Sequence, residues 1–188
     1  MTRFPKAHRD RRSATRLTDL QIVVSLWQSY QRAMNLQTDP TPLRLLADGM
    51  LGRLARWLRA LGYDTAYAPD TDDAELLRRA RAEGRILLTA DHALSKRRGA
   101  RTLLVEAQNL DDQLRHVREA LGPPPGGEFS RCVACNGALV PAEKSTLTDR
   151  VPPYVFSTQD EFRLCPDCGR VYWPGTHVEQ MRALINGQ

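Results

Sequence analysis

Four cysteines form two pairs with the same short spacing. Cys132 and Cys135 make the first C-x-x-C pair, and Cys165 and Cys168 make the second. Each pair offers two thiolates from one tight turn, and four thiolates complete a tetrahedral zinc site. Such a closed site leaves no position for substrate, so the zinc would be structural. The spacing predicts a zinc ribbon in the C-terminal third of the chain.

A redox-active C-x-x-C is the alternative interpretation. It predicts one pair beside a βαβ unit, whereas this chain has two pairs near its C-terminal end. Gly137 and Gly169 follow the pairs and suit tight turns whose backbone N–H groups face the sulfurs. The two pairs together favour metal binding.

Three aspartates stand where predicted strands end or a helix begins. Asp48 directly follows the apolar run 43–47, Asp91 lies just beyond the run 85–89, and Asp73 begins the helix before that second run. Ligands of open α/β sheets bind beyond the carboxyl ends of the strands. Converging carboxylates repel unless a divalent cation neutralises them, and Mg²⁺ or Mn²⁺ prefers oxygen ligands. A metal there can activate water and stabilise the charge developing on a phosphodiester.

Each acid also fits a plain structural role. Asp72 or Asp73 suits a helix N-cap, and Asp72 with Glu75 has the form of a capping box. Asp48 and Asp91 suit turns before helices. Position alone leaves both interpretations open, and only the joint placement of the acids favours a metal site.

The segments that must position these acids alternate between strand and helix patterns. The predicted strands are 43–47, 64–68, 85–89 and 102–105, and the predicted helices are 50–61, 73–83 and 109–121. This alternation predicts an α/β domain with a mostly parallel sheet covered by helices.

The flanking segments complete the predicted domain organisation. A basic arm (1–17) and a helix (18–36) form an N-terminal region, 1–42. The α/β domain covers 43–121, a Gly- and Pro-rich linker covers 122–130, and a ribbon with a C-terminal helix near 177–186 covers 131–188.

Charge and hydropathy limit the partners. The net charge is +5, and residues 1–40 carry seven Lys and Arg against three acids. This balance suits nucleic acid, although a soluble protein from an arginine-rich proteome has the same balance. The N-terminus has no apolar signal segment and no apolar run is long enough to span a membrane, so we expect a cytoplasmic protein without membrane contact.

Several motifs carry a family resemblance. The stretch 46–65 (LADGMLGRLARWLRALGYDT) resembles the opening of a PIN-like ribonuclease family named for the C-terminal domain of the mut-seven exonucleases. The remaining matches are 72–77 (DDAELL), 84–91 (GRILLTAD), 131–139 (RCVACNGAL), 151–153 (VPP) and 165–177 (CPDCGRVYWPGTH). They span roughly 43–182 in the family's order.

The resemblance implies a PIN-like three-layer α/β/α fold with an appended zinc ribbon, and RNA as substrate. It implies that Asp48, Asp73 and Asp91 form the acidic Mg²⁺ or Mn²⁺ site, with Asp73 preferred to Asp72. The chain departs from the family at Gly49 and Ala90, where arginine is usual. A fourth acid is not assigned.

Other side chains are candidates for supporting roles. Asp111 and Asp112 could supply the fourth acid, but helix capping is the favoured interpretation. Arg53 and Arg56 on the first helix, and Arg97 and Arg98 after the third strand, are candidate phosphate contacts. Arg59 is expected on a solvated helix face.

The leading hypothesis is a metal-dependent endoribonuclease. One alternative is a non-catalytic module that binds structured RNA or a ribonucleoprotein through the basic arm and the ribbon. Another is the toxin of a toxin–antitoxin pair, which needs a neighbouring antitoxin gene. The oligomeric state is not predicted by the sequence.

Overall fold

The structure, a computed structural model, describes residues 43–175. These residues belong to one compact unit, 41–188. The predicted basic arm, the helix at 18–36 and the helix near 177–186 lie outside the described residues.

Four parallel strands form the central sheet, in the order β2-β1-β3-β4. The strands are β1 (Arg44–Ala47), β2 (Asp64–Tyr67), β3 (Ile86–Thr89) and β4 (Thr102–Leu104). All of β3 and most of β1 are buried, as expected for strands covered on both faces. The structure confirms the predicted mostly parallel sheet. Strand β2 lies at one edge.

Helices cover both faces of this sheet. They are α1 (Gly52–Leu61), preceded by a 3₁₀ turn (Gly49–Leu51), α2 (Asp73–Ala82), α3 (His92–Ser95) and α4 (Leu110–Leu121). The apolar sides of α1 and α4 pack on one face around Leu45 and Leu88. The apolar sides of α2 and α3 pack on the other face around Leu46 and Leu87. The sheet domain therefore has three layers.

Helix ends follow the local sequence. Gly62 ends α1 with φ 100°, a conformation that favours glycine, and its N–H bonds the Arg59 and Leu58 carbonyls. The predicted capping box is only half formed, because Asp72 caps the Glu75 N–H at 3.0 Å while the Glu75 carboxylate pairs with Arg78. The short helix α3 was not predicted.

The C-terminal part is a small antiparallel sheet. Its strands are β5 (Val140–Ala142), β6 (Phe162–Leu164) and β7 (Val171–Tyr172), in that order. A 3₁₀ turn (Lys144–Leu147) and a short helix, α5 (Pro153–Thr158), lie between β5 and β6. Leu147, Val151 and Phe162 form a separate small core there. Among the helices of residues 43–175, none has the length and apolar character that crossing a membrane requires.

Candidate functional site

The four cysteine sulfurs meet at one point of the ribbon. All four lie within 4.8 Å of one another. The Cys132 and Cys168 sulfurs are 3.6 Å apart, and the Cys135 and Cys165 sulfurs are 3.4 Å apart. Tetrahedral zinc with Zn–S bonds of about 2.3 Å needs sulfurs about 3.8 Å apart. The set therefore fits a zinc ion, and the predicted cysteine cluster is confirmed.

The turns that carry the cysteines differ in one respect from the sequence prediction. Gly169 adopts φ 73°, as expected, but in the first turn Asn136 and not Gly137 adopts the equivalent conformation, with φ 72°. Gly137 is confined by space instead. A Cβ on it would lie 3.0 Å from the buried Cys165 sulfur, and it would also displace the carboxylate of the exposed Asp167 side chain. Asparagine tolerates a positive φ better than most residues do, and its side chain is then free for another contact.

The ionisation of the thiols also suits a cation. Burial opposes ionisation of Cys132, but hydrogen bonds from the Tyr172 hydroxyl and from backbone N–H groups lower the pKa of this thiol to about 6. Burial, and then the neighbouring sulfurs, raises the pKa of Cys135 to about 12. The cluster cannot hold four thiolates without a positive charge among them, and zinc would supply that charge.

Arg59 fastens the ribbon to the sheet domain. Its Nη1 donates to the Val133 and Ala134 carbonyls of the first cysteine turn at 3.1 and 2.9 Å, and its Nε donates to the Thr65 carbonyl of β2 at 2.7 Å. Arg59 is 6% exposed, so the prediction of a solvated helix face is wrong. Helical periodicity could not predict this burial, because the carbonyls that Arg59 binds lie more than 70 residues later in the sequence.

Asn136 makes the second contact between the ribbon and the sheet domain, at the edge strand β2. Its Oδ1 accepts a hydrogen bond from the Thr65 N–H at 2.9 Å, and its Nδ2 donates to Asp64 Oδ1 at 2.7 Å. The side-chain amide thus satisfies a backbone group of β2 that no strand pairs. An exposed sheet edge is prone to intermolecular pairing, and the ribbon covers this one.

Asp64 forms ion pairs where the ribbon meets the sheet domain, a contact region that we call the joint. Its carboxylate is 2.7 Å from Arg85, 3.3 Å from Arg131 of the ribbon and 3.5 Å from Arg44. Burial opposes ionisation, but the hydrogen bonds from Arg85 and Asn136 and the nearby arginine charges hold the pKa of Asp64 below its usual value. Asp64 and Arg85 are 9% and 8% exposed.

Replacing Asp64 with Ala is expected to lower the free energy of unfolding by about 3 kcal/mol, because Arg85 stays buried without its partner. This is the lower end of the range for buried pairs, since Glu83 still contacts Arg85 at 2.5 Å. Urea unfolding measures the change. Glu75→Ala is the matched control: it breaks an exposed pair with Arg78, and we expect little change in the free energy of unfolding because solvent screens this pair. Equal changes in both variants would contradict a buried ionic joint.

The predicted acids lie at the carboxyl edge of the central sheet. Asp48 follows β1 and is 5% exposed. The Thr89 hydroxyl, at the end of the adjacent β3, donates to Asp48 Oδ2 and accepts a hydrogen bond from the Asp91 N–H at 3.0 Å. Thr89 therefore links the two acids of neighbouring strands. It was not predicted as a site residue, although a threonine at the end of an apolar strand two residues before an aspartate was a visible signal.

The three acids differ in their partners. Asp48 Oδ1 accepts from the Met50 N–H, and Asp91 Oδ1 accepts from the Ala93 N–H, so both aspartates also cap the helical turns that follow them. Asp73 lies in the first turn of α2, where its Oδ2 is 3.1 Å from Arg97 Nη1. The capping interpretation is thus correct for Asp48 and Asp91, and it does not exclude a second role.

The acids are not gathered as tightly as the cysteines. Within residues 43–175, only the cysteine set brings three or more potential ligand atoms within 4.8 Å of one another. A further carboxylate, Glu106, follows the β3–β4 pairing and contacts His92 at 3.3 Å. Asn109 caps α4, so the prediction that Asp111 or Asp112 caps it is wrong; both lie in its first turn.

The candidate phosphate-binding arginines are exposed. Arg53 and Arg56 project from α1 and form no ion pair with any residue in the described range, whereas Arg97 contacts Asp73.

The protein is a three-layer α/β protein with an appended four-cysteine ribbon. Its carboxylates lie at the carboxyl edge of the parallel sheet. The sequence model of the Mut7-C RNAse domain matches residues 43–185. The chain belongs to this family, and the resemblance found in its motifs is confirmed. No curated protein matches the chain.

Proposed function

We propose that this protein is a metal-dependent ribonuclease that cleaves within RNA strands. The observation that carries the proposal is the Thr89 link, which holds Asp48 and Asp91 at the ends of adjacent strands in a chain of an RNase-domain family. Function at this edge also agrees with the general position of ligand sites in open α/β sheets.

The acids offer donor atoms that suit Mg²⁺ or Mn²⁺. Asp91 Oδ2 and Asp73 Oδ1 accept no hydrogen bond from a described residue. Mg²⁺ usually takes one or two protein carboxylates and completes its shell with water. Asp48, Asp73 and Asp91 would hold the metal, which when bound supplies activation of water and stabilisation of charge on the phosphodiester.

Protein side chains supply the positioning. Thr89 orients the Asp48 carboxylate, and Arg97 holds the carboxylate of Asp73. Arg53 and Arg56, exposed on α1, are proposed to bind phosphates of the strand. Because Asp91 is exposed and the Asp73 side chain is 46% exposed, an internal phosphodiester can reach them without threading of a chain end. This favours endonucleolytic cleavage.

The ribbon has a structural part in this proposal. We assign the nuclease domain to 43–121, the linker to 122–130 and the ribbon, with structural zinc on its four cysteines, to 131–188. The linker is anchored, because the Phe129 N–H bonds the Ala60 carbonyl at 2.8 Å and the Tyr63 hydroxyl bonds the Gly122 carbonyl.

Cleavage of a pool of structured and single-stranded RNAs tests the function. We expect cleavage with Mg²⁺ or Mn²⁺, no cleavage when both metals are omitted, and its return when either is added. An Asp48→Asn/Asp91→Asn double variant, purified in the same way, controls for contaminating nucleases. Equal cleavage by both proteins would indicate contamination, and RNA binding without cleavage would instead support a non-catalytic binding module.

A further inference from the structure

Two separate segments bring four arginines to one surface groove. Arg78 and Arg81 come from α2, and Arg97 and Arg98 follow α3. The groove has a volume of about 680 Å³. The other residues that line it are small or apolar: Ala74, Leu77, Ala82 and Gly99. No carboxylate lines the groove itself, although Glu75 pairs with Arg78 and Asp73 pairs with Arg97 beside it.

Several other arginines of the sheet domain have a carboxylate partner. Arg79 and Arg85 share Glu83, and Arg115 pairs with Asp112. In the groove, Arg81 and Arg98 are exposed and form no ion pair with any residue between 43 and 175. Two unpaired positive charges on one concave surface raise the local concentration of polyanions.

One end of the groove meets the acidic edge. Arg97 lines the groove and also contacts Asp73 at 3.1 Å. Asp73 is one of the proposed metal ligands, so the groove lies beside the place where a phosphodiester would be cleaved. Guanidinium groups bind phosphate oxygens through paired N–H donors. The phosphates of a nucleic-acid strand match the charge of these arginines.

We infer that this groove binds the sugar–phosphate backbone of single-stranded RNA beside the bond to be cleaved, with Arg81 and Arg98 as its free phosphate ligands. The inference rests on the proposed function, because it takes its substrate from that proposal. It adds a path for the strand, along α2 and away from Asp73. The small and apolar lining offers few groups for base recognition, so binding here depends on charge and not on sequence.

Binding of a fluorescent oligouridine without added Mg²⁺ or Mn²⁺ tests this path without requiring cleavage. The variant Arg81→Ala/Arg98→Ala removes two charges from the groove. Arg163→Ala/Arg170→Ala is the matched control, since both ribbon arginines are exposed and form no ion pair with a described residue. Each phosphate contact to a single strand lowers the logarithm of the binding constant by about 0.7 for a tenfold rise in salt. At about 0.1 M salt, losing one such contact therefore weakens binding about 5-fold.

We therefore expect the groove variant to bind about 25-fold more weakly and to reduce the salt slope by about 1.4, with the control within about twofold of wild type. Unchanged binding by the groove variant would overturn the inference, as would equal losses in both variants, which would show that only total charge matters. The inference would also be overturned if the groove variant bound oligouridine like wild type but bound an acidic protein more weakly. Cleavage by the wild type tests the proposed function separately, so either proposal can fail alone.

Discussion

The Asp48→Asn variant is expected to lose at least about 100-fold in RNA cleavage while keeping its fold, because a metal at this edge supplies several kcal/mol of charge stabilisation. Asn has nearly the shape of Asp, and its Oδ1 can still accept the Met50 N–H hydrogen bond. The change therefore removes charge from a buried position with little change in packing. Single-turnover cleavage with saturating Mn²⁺, together with circular dichroism, measures both effects.

Asp72→Asn is the matched control for this variant. Asp72 is exposed, caps α2 through the Glu75 N–H and directly precedes the proposed ligand Asp73. Asn also caps helices well, so we expect cleavage within about twofold of wild type. Thr89→Val should lose about 10- to 100-fold in cleavage, because it keeps all three acids and removes the hydroxyl that links Asp48 and Asp91. Cleavage by Asp48→Asn at the wild-type rate would exclude Asp48 from the site.

Loss of the ribbon metal is expected to unfold the ribbon and to loosen the edge strand β2. Structural zinc contributes about 10–16 kcal/mol of apparent binding free energy in small zinc domains. The ribbon's own cores are small, and one of them consists of Cys132, Leu139 and Cys165. Without metal the first cysteine turn no longer presents the carbonyls that Arg59 binds or the Asn136 amide that pairs with Thr65.

Cys168→Ser tests this coupling, with Asp167→Ser as its neighbouring control. Both positions are exposed, but only Cys168 is a predicted ligand. We expect wild type and Asp167→Ser to bind one zinc per chain, and Cys168→Ser to lose zinc and amide-exchange protection in the ribbon and at Thr65. Retained zinc in Cys168→Ser would contradict the assigned ligand set. Lost zinc with unchanged protection at Thr65 would show that the ribbon and the edge strand are independent.

Much of the site was visible in the sequence because its residues mark local features. The cysteine pairs are local turns, and their spacing alone predicted the cluster that the structure confirms. The order of strands and helices followed from apolar periodicity, and Gly62 ended its helix as expected. The acidic edge was predicted because parallel strands align their carboxyl ends, although the metal role of Asp48, Asp73 and Asp91 stays a prediction.

Only the tertiary structure decided what the side chains contact across long separations. Arg59 has the periodicity of a solvated residue, yet it binds carbonyls 74 and 75 residues later in the chain. Asn136 combines a left-handed backbone with an amide that completes a distant strand, and Thr89 joins two acids that lie more than 40 residues apart. The basic groove likewise exists only because α2 and the segment after α3 meet. The sequence by itself determined the local elements and the metal-binding turns, since their physics depends on near neighbours. The joint, the linked acids and the groove depend on hydrogen bonds and charges between distant segments, which only folding brings together.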